Sequence, residues 1–523
     1  MAVGDLFDGY QRHPYFDEMF DSDGMPRPGW EMLAKALERT SIDTLRQRVK
    51  VFESGFRDRG ITFAFGGQER TFPLDPLPRV IGADEWETVE RGVAQRVRAL
   101  EAFLADVYVG TADVVSDGII PNSVVRSSTQ FVRKAWGVPY VNGVRIHVSG
   151  LDLIRDETGR FCVLEDNVRT PSGISYVLEN RRAMARVLPE LFSSYSILGV
   201  SDYPARLLNA LRSSTPNSGS DPNVVVLTPG VYNSAYFEHS FLARQMGVYL
   251  VEARDLICRD NNVYMRTTSG ELRVDVIYRR VDDEFLDQVQ FRPDSVLGVP
   301  GLINAARSGR VTIANGVGNG VADDKLTYCY VPEIIKYYLG ENPILPNIET
   351  FRMWEPDHLS YVLAHMDEMV IKPVDASGGK GVVLGPLSTK QELLNLRTLI
   401  RENPRGFVAQ RLVHFSAAPT ATESGIEPRH VDLRPFAIND AGSIWVAPGG
   451  LTRVALPRGS MVVNSSQGGG SKDTWVIERR KGIDFRGEAK RVAQPTTESF
   501  ADHLGMNPLE LRKAVQGGGI GAQ

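Results

Sequence analysis

Two acidic side chains and one amide lie on two short strand-like runs joined by a tight turn at 157–159. Asp152 is on the first run, and Glu165 and Asn167 are at the end of the second. Because alternate residues of a strand share a face, Glu165 and Asn167 project together, and Asp152 can lie opposite them. Carboxylate and amide oxygens suit Mg²⁺ or Mn²⁺, with phosphates and water completing the octahedron. A solvated hairpin with scattered acids is the alternative interpretation.

A glycine-rich segment, VIKPVDASGGKGVVLG at 370–385, has the residue types of a phosphate-binding turn. Lys372 stands at the end of a strand-like run, and the loop after it contains Ser377, Gly378 and Gly379. Glycine lets backbone N–H groups approach a phosphate closely, and lysine supplies a point charge. The spacing is not that of a Walker A loop. A plain glycine-rich hairpin turn is the alternative.

A third segment, GLTRVALPRGSMVVNSSQGGGSKDTW at 450–475, places Arg453 on an apolar strand, where a buried charge needs a partner. Asn464 and the three glycines after it offer a backbone concavity. The alternative is an arginine at a strand edge, followed by a flexible loop.

Two further sites could bind an anion. The Pro-Ser-Gly turn of VRTPSG carries Ser172 and Gly173, whose backbone N–H groups could face a negative charge. Arg279 and Arg280 follow a strand-like run and are candidates for binding a substrate carboxylate. For these two arginines, a scaffold of salt bridges is the rival interpretation.

The elements that would position these residues follow from hydrophobic periodicity. Helical spacing predicts helices at 31–58 and 84–108 and a helical stretch at about 175–212. A nearly apolar-free segment, RSSTPNSGSDPN at 212–223, marks a boundary. Strands then alternate with helices to about residue 320, which predicts an α/β unit with a mostly parallel sheet. A helix at 324–339 leads to a last unit rich in strands.

Composition narrows the class of protein. The 523 residues are 42% hydrophobic and 24% charged, with a net charge of −5, typical of a soluble globular chain. A nucleic-acid binder usually has a basic surface, so we expect no nucleic-acid partner. Three widely spaced cysteines favour neither a disulfide framework nor a zinc site. With no signal-peptide pattern and no long apolar run, we expect a cytoplasmic protein with no membrane partner.

Several segments together resemble the ATP-grasp superfamily of carboxylate–amine ligases. GLDLIRDETGRFCVLEDNVRTPSG resembles the metal-binding end of D-alanine–D-alanine ligases. DDKLTYCYVPEIIKYYLG and VIKPVDASGGKGV resemble the segments with the two ATP lysines, which implies that role for Lys325 and Lys372. GFVAQRLV stands where the adenine-binding hinge follows the second lysine segment in those ligases, which implies a hinge role for Gln410 and Leu412. RGSMVVNSSQGGG is similar to an element of ribosomal-protein-modifying glutamate ligases and includes Asn464.

In those ligases the lysines precede the E-x-N motif, whereas here E-x-N comes first, as in circularly permuted ATP-grasp proteins. LEDNVRTPSGISYVLENR and ANGVGNGVADDK resemble the type 2 group in particular, and glutathionylspermidine synthases are more distantly similar. The resemblance implies an α/β protein with a circularly permuted ATP-grasp fold, a Rossmann-like pre-ATP-grasp domain and N-terminal helices. The domains expected are N-terminal helices at 1–110, the metal-binding part at 111–211, the α/β substrate domain at 222–322, the ATP-binding subdomains at 323–480 and an extension at 481–523.

The resemblance also implies a chemistry. ATP with Mg²⁺ or Mn²⁺ would activate a carboxylate, such as an amino acid or peptide, to an acylphosphate that an amine attacks. D-alanine–D-alanine ligases carry an arginine two residues before the metal-binding aspartate, where this chain has Gly150. The anion-stabilising role is therefore expected of Arg453, with Arg434 as second candidate, and Arg169 joins the substrate-binding candidates. A nucleotide-binding scaffold and a small-molecule phosphotransferase are the alternatives.

Overall fold

The computed structural model describes most of the chain. The described residues are 6–7, 10–12, 14–65, 68–217, 221–374, 381–423, 425–460, 463 and 469–479. The chain divides into two units, Met1–Glu478 and Arg479–Gln523, and the fold below is that of the first unit. Four predicted ATP-binding residues lie outside the described residues, namely Ser377, Gly378, Gly379 and Asn464.

Helices are distributed along the whole of the first unit. In the described residues they are α1 Glu31–Leu37, α2 Ile42–Asp58, α3 Ala83–Tyr108, α4 Asp113–Ser116, α5 Asn122–Arg126, α6 Ile174–Val187, α7 Pro189–Ser194, α8 Tyr203–Ser213, α9 Tyr236–Met246, α10 Leu302–Arg307, α11 Gly320–Asp323, α12 Lys325–Tyr328, α13 Val331–Leu339, α14 Pro356–Ala364 and α15 Lys390–Glu402. No helix in this part of the chain has the length and apolar character needed to cross a bilayer.

The strands are short and fall into several sheets. In chain order they are β1 Thr62–Phe65, β2 Gln68–Thr71, β3 Arg79–Ile81, β4 Val148–Gly150, β5 Asp152–Arg155, β6 Phe161–Glu165, β7 Val224–Leu227, β8 Tyr249–Val251, β9 Leu256–Arg259, β10 Asn262–Thr267, β11 Gly270–Val274, β12 Val276–Arg279, β13 Thr312–Ala314, β14 Thr350–Arg352, β15 Met369–Pro373, β16 Val383–Leu384, β17 Phe407–Arg411, β18 Ala417–Thr422, β19 Gly425–Arg434, β20 Phe436–Asp440, β21 Ser443–Val446, β22 Leu451–Val454, β23 Gly470–Lys472 and β24 Thr474–Val476.

The predicted α/β unit contains a four-stranded parallel sheet in the order β13-β12-β7-β8. Strands β7, β12 and β13 are fully buried, and VVVL in β7 is a continuous apolar run, as expected when helices cover both faces, whereas Tyr249 on the edge strand β8 is exposed. The chain leaves β7 toward β8 on one side and later returns to β12 on the other. In sheets of this kind ligands bind outside the carboxyl ends of the strands at such a reversal.

The hairpin that is predicted to bind a metal is part of a different, antiparallel sheet. Strands β5 and β6 pair around the predicted turn, and β5 also pairs with β19, giving the order β23-β22-β19-β5-β6 with β18 beside β19. Leu153 on β5 is opposite Leu433 on β19, so segments 280 positions apart in the chain share one sheet. A second antiparallel sheet, β14-β17-β15-β16, carries the strand with Lys372.

The long helix α3 anchors the hairpin from outside. Its apolar residues Val89, Val93, Leu100 and Phe103 are buried in the main core, as their helical spacing predicts. Arg96 on the same helix donates to both carboxylate oxygens of Asp166, with Nε at 2.5 Å and Nη2 at 2.7 Å. This buried ion pair fixes the end of β6 and therefore the positions of the residues on either side of Asp166.

The predicted elements agree with the structure in type more often than in extent. The helix expected at 31–58 is two helices, because Ser41 caps α2 by accepting from the Thr44 backbone N–H. The stretch at 175–212 is three helices, α6 to α8. The β10–β11 hairpin and strand β18 were not expected from the sequence. The boundaries of the individual domains stay a prediction.

Candidate active site

The hairpin brings its oxygen donors together as the sequence predicts. Asp152 is the cross-strand partner of Glu165. The backbone carbonyl of Asn167 accepts from the Gly150 N–H at 2.9 Å, while its side-chain Nδ2 is buried and makes no hydrogen bond to the described residues. Among the described residues, Nδ2 therefore does not fix the orientation of this amide, and Asn167 stays a predicted oxygen ligand. No three His, Cys, Asp or Glu side chains in the described chain converge on a possible metal position, so a cation here would need the Asn167 oxygen and ligands from outside the protein.

Two lysines from separate elements approach this hairpin. Lys325 is the first residue of α12, and its Nζ lies 3.6 Å from Oε1 of Glu165. Lys372 on β15 donates from Nζ to Oε1 of Gln410 on β17 at 2.6 Å, and Gln410 in turn donates to the Thr350 hydroxyl at 2.8 Å. Gln410, expected at an adenine hinge, thus orients Lys372 in this structure.

The pKa of Lys372 reflects its burial and the charges of Glu165, Lys325 and Asp152. Burial lowers its pKa to about 8, and the positive charge of Lys325 acts in the same direction. The carboxylates of Glu165 and Asp152 oppose the shift. The pKa of Lys372 therefore depends on three other predicted site residues, which places all four within one electrostatic environment. An ammonium with this pKa is largely protonated at neutral pH and would gain from a nearby anion.

Two arginines enclose Asp152. Arg434 donates to Oδ1 from Nε at 2.6 Å and to Oδ2 from Nη2 at 2.8 Å, and Arg453 donates to the same Oδ2 from Nη2 at 2.8 Å. Arg453 also donates from Nε to both oxygens of Asp432 at 3.0 Å. Asp432 and Arg453 are cross-strand partners on β19 and β22, and Arg434 is two residues further along β19.

The ion pairs decide the charge state of Asp152. Burial would raise its pKa, but Arg434 and Arg453 outweigh burial and hold the pKa at about 2. Burial likewise favours a neutral Arg453, and the carboxylates of Asp152 and Asp432 instead raise its pKa. Asp152 is therefore ionised at all physiological pH values, and its charge is neutralised within the protein.

The Pro-Ser-Gly turn does face an anion, but that anion belongs to the protein. Oε2 of Glu238 on α9 accepts from the backbone N–H groups of Gly173 at 2.7 Å and Ser175 at 3.0 Å. Arg280 donates from Nη2 to the Ser172 hydroxyl at 2.5 Å and lies 3.4 Å from Oε1 of Glu238. Arg280, Gly173 and the Ser172 side chain are thus engaged as a buried scaffold.

The remaining predicted residues occupy different environments. Arg279 is fully buried, and its guanidinium donates to three backbone carbonyls and pairs with Asp283, so the structure gives it the scaffold role. Arg169 is 24% exposed and donates to Gln130 at 2.9 Å. Its Nε lies 3.8 Å from Asp282. Leu412 is half-buried on the segment after β17, and its hinge role stays a prediction.

Sequence reasoning missed two residues that hold the site together. Asp432 carried a signal, since Asp432 and Arg434 alternate with the apolar Val431 and Leu433 at the end of β19 and therefore share one face. Glu238 carried none, because nothing local in YFEHSF indicates that its carboxylate meets the N-terminus of α6, more than sixty residues earlier.

Comparisons with known proteins agree with this geometry. A sequence model described as circularly permuted ATP-grasp type 2 matches residues 78–455. The chain belongs to that family. The match covers the hairpin, both lysines and both site arginines. It confirms the predicted permuted order, in which the E-x-N hairpin precedes the lysines.

Relatives of this permuted ATP-grasp chain are similar over most of its length. A Mycobacterium tuberculosis protein described as uncharacterised is 54% identical over 96% of this chain and 93% of its own. A Frankia alni protein named putative glutamate–cysteine ligase is 44% identical over 91% of this chain but only 55% of its own. The solved structure of a glutathione synthetase-like effector from Globodera pallida aligns with a TM-score of 0.55 at 9% identity, over 84% of this chain and 98% of the effector, which shows a shared fold.

The two hairpin carboxylates should differ sharply in their effect on stability. Asp152→Asn leaves Arg434 without a counter-charge in a buried setting, which costs roughly 3 kcal/mol. Glu165 is 32% exposed and lies 3.6 Å from one lysine, so Glu165→Gln should cost less than about 1 kcal/mol. Urea unfolding of the two variants measures this contrast. Equal losses in the two variants would show that the arginine pairs do not stabilise the fold through Asp152.

Proposed function

We propose that the protein is an ATP-dependent carboxylate–amine ligase that acts through an acylphosphate. The observation that carries the proposal is the convergence of Lys325, Lys372, Asp152 and Glu165, from four separate elements, on one electrostatic cluster. Two cations beside two carboxylates suit a polyphosphate held together with a divalent metal. The family supports a ligase-type activity in general, since ATP-grasp proteins bind ATP and divalent metals.

In this proposal the lysines bind and neutralise the triphosphate. Lys372 is held by Gln410 in an orientation toward the cluster, and Lys325 stands beside Glu165. Asp152, Glu165 and Asn167 would hold Mg²⁺, which supplies charge neutralisation for the phosphoryl group when bound. Phosphoryl transfer depends mostly on such positioning and charge stabilisation, so no covalent role for a protein side chain is required.

The proposed reaction has two steps, formation of the acylphosphate and attack by the amine. A carboxylate oxygen of the substrate attacks the γ-phosphorus, the bond to the β,γ-bridging oxygen breaks, and ADP leaves. The amine nitrogen then attacks the acyl carbon, the bond from that carbon to the phosphate oxygen breaks, and phosphate leaves while the nitrogen loses a proton. Negative charge develops on the acyl oxygen in the second step, where a guanidinium stabilises it.

We propose the reverse of the expected order of the two candidate arginines for this role. Arg453 is held by Asp432 as well as Asp152 and is almost fully buried. Arg434 is 16% exposed, and its Cδ lies 3.4 Å from the position that a Cβ of Gly150 would occupy. Arg434, together with Pro171 and Phe436, thus borders the space beside the glycine that stands where similar ligases carry an arginine. We assign the anion-stabilising role to Arg434 and a positioning role to Arg453.

Amino acids or short peptides are the carboxylates that we propose. The Frankia alni relative is named for a ligase of two amino acids, although this chain spans about half of that protein. Arg169 remains a proposed substrate-binding residue, because its guanidinium is partly exposed two residues after Asn167.

Binding of Mg-ATP should depend on the protonation of Lys372. The charge is largely present at neutral pH and is lost as the pH rises through the pKa of about 8, so affinity should fall across that range. Lys372→Ala should weaken binding on the order of tenfold to a hundredfold, and Lys372→Arg should remove the pH dependence between 7 and 9. Calorimetric titration measures both effects.

Lys336→Ala is the matched control, because Lys336 is an exposed lysine on α13 outside the cluster. It should leave Mg-ATP affinity unchanged at every pH. A folded Lys372→Ala variant with wild-type affinity would remove Lys372 from the ATP site.

Trapping with hydroxylamine distinguishes the function classes. An acylphosphate reacts with hydroxylamine in place of the natural amine, so a pool of amino acids and short peptides with Mg-ATP should yield ADP, phosphate and a hydroxamate. Formation should be lost in Lys372→Ala and Glu165→Gln, because both residues act before amine attack. ADP with a stable phosphorylated product and no hydroxamate would instead indicate a phosphotransferase. Binding of Mg-ATP without any turnover would indicate a nucleotide-binding scaffold.

A further inference from the structure

The oxygen atoms of Asp152 are largely occupied by the protein itself. A carboxylate offers about four acceptor positions. Arg434 fills one on each oxygen, at 2.6 and 2.8 Å, and Arg453 fills another on Oδ2 at 2.8 Å. The Asp152 side chain is only 5% exposed. A cation therefore finds little free lone-pair density on this carboxylate.

The other proposed ligands are open by comparison. Glu165 is 32% exposed, and its ion pair with Lys325 is 3.6 Å long. Asn167 has a side-chain nitrogen without a hydrogen-bond partner among the described residues, so no acceptor in this part of the chain holds its amide by that atom. Of the three proposed ligands, Asp152 is the one whose side-chain oxygens accept close hydrogen bonds from the described residues, and it must give some of them up before it can bind a cation.

Arg434 and Arg453 differ in how many contacts each would keep after leaving Asp152. Arg453 keeps three contacts with Asp432 if Asp152 is withdrawn, because its Nε and Nη2 both donate to that carboxylate. Within the described residues, Arg434 makes its ion pair with Asp152 alone and otherwise donates only to the Ser172 carbonyl, at 3.2 Å. Arg434 is also the more exposed of the two. It is the arginine that can move.

We propose that Arg434 competes with the divalent cation for Asp152, so that the cation binds Asp152 fully only when Arg434 moves away. This inference rests on the proposed function and deepens it, since the released guanidinium is the one assigned to the developing oxyanion. An anion that attracts Arg434 then strengthens cation binding, and the cation in turn strengthens anion binding, because coupling between two sites is reciprocal. Free cation alone binds weakly, and the complete substrate set binds well.

The test measures Mn²⁺ binding without nucleotide, from the loss of the electron paramagnetic resonance signal of free Mn²⁺. Arg434→Met removes the competitor while keeping a long side chain. It should tighten Mn²⁺ binding about tenfold to a hundredfold, which is the effect expected for removing a charge-assisted hydrogen-bond pair. Turnover should fall in the same variant, so metal affinity and activity move in opposite directions.

Lys372→Met is the matched control for long-range electrostatics. It removes one positive charge from the same cluster without touching the oxygens of Asp152, so its effect on Mn²⁺ affinity should be clearly smaller than that of Arg434→Met. Adding Asp152→Asn to Arg434→Met should abolish the gain. If methionine at 434 prevents folding, Arg434→Lys serves instead, because a single ammonium cannot donate to both oxygens as the guanidinium does.

Each outcome decides the question. Equal Mn²⁺ affinity in wild type and Arg434→Met overturns the competition and leaves the proposed ligase intact. An equal gain from Lys372→Met overturns it as well, since the effect would then be general charge repulsion. Absence of Mn²⁺ binding in wild type and variant alike, even with ATP present, overturns both the competition and the proposed metal site.

Discussion

The pairing of β5 with β19 is the constraint on which the site depends. Those strands come from opposite sides of the α/β domain in the sequence, yet Leu153 and Leu433 are opposite each other in one sheet. Asp152 at the start of β5 consequently meets Arg434 at the end of β19. Without that pairing, the hairpin would carry a buried carboxylate with no counter-charge, which is among the most costly arrangements in a protein interior.

The charges around the pairing suit a site that receives both an anion and a cation. Lys325, Lys372 and Arg434 face Asp152 and Glu165, and each lysine or arginine has a carboxylate within its electrostatic range. Because the positive and negative charges of this cluster nearly balance, the cluster is stable without a ligand. A polyphosphate alone would favour the lysines, and a divalent metal alone would compete with Arg434. The two ligands together preserve the balance, which gives a physical reason for a site that takes the metal–nucleotide complex.

The sequence predicted the parts of the site that depend on local pattern. The sequence predicted that Asp152 lies across the hairpin from Glu165, and the structure confirms this placement, although a register shift between Asp152 and Leu153 that alternation does not predict brings the two residues opposite each other. The family and its permuted order, inferred from several short segments, are also confirmed. The roles of Lys325 and Lys372 came from resemblance, and their proximity to the hairpin is consistent with those roles.

Other contacts of the candidate residues depend on segments far apart in the chain. Arg280 was a candidate for binding a substrate carboxylate, with a scaffold of salt bridges as the rival interpretation. Its actual partner, Glu238, lies on another element and leaves no local signature. The sequence ranked Arg453 above Arg434 without considering Asp432, whose pairing with Arg453 depends on the register between β19 and β22. Charge partners across strands are set by register between distant segments, which periodicity alone does not reveal.

A crystal structure with Mn²⁺ and a non-hydrolysable ATP analogue tests the central claim most directly. The account predicts an anomalous Mn²⁺ peak within about 2.5 Å of oxygens from Asp152, Glu165 and Asn167, with the triphosphate in contact with Lys325 and Lys372. A nucleotide bound elsewhere, or Mn²⁺ coordinated without any residue of the hairpin, would contradict it.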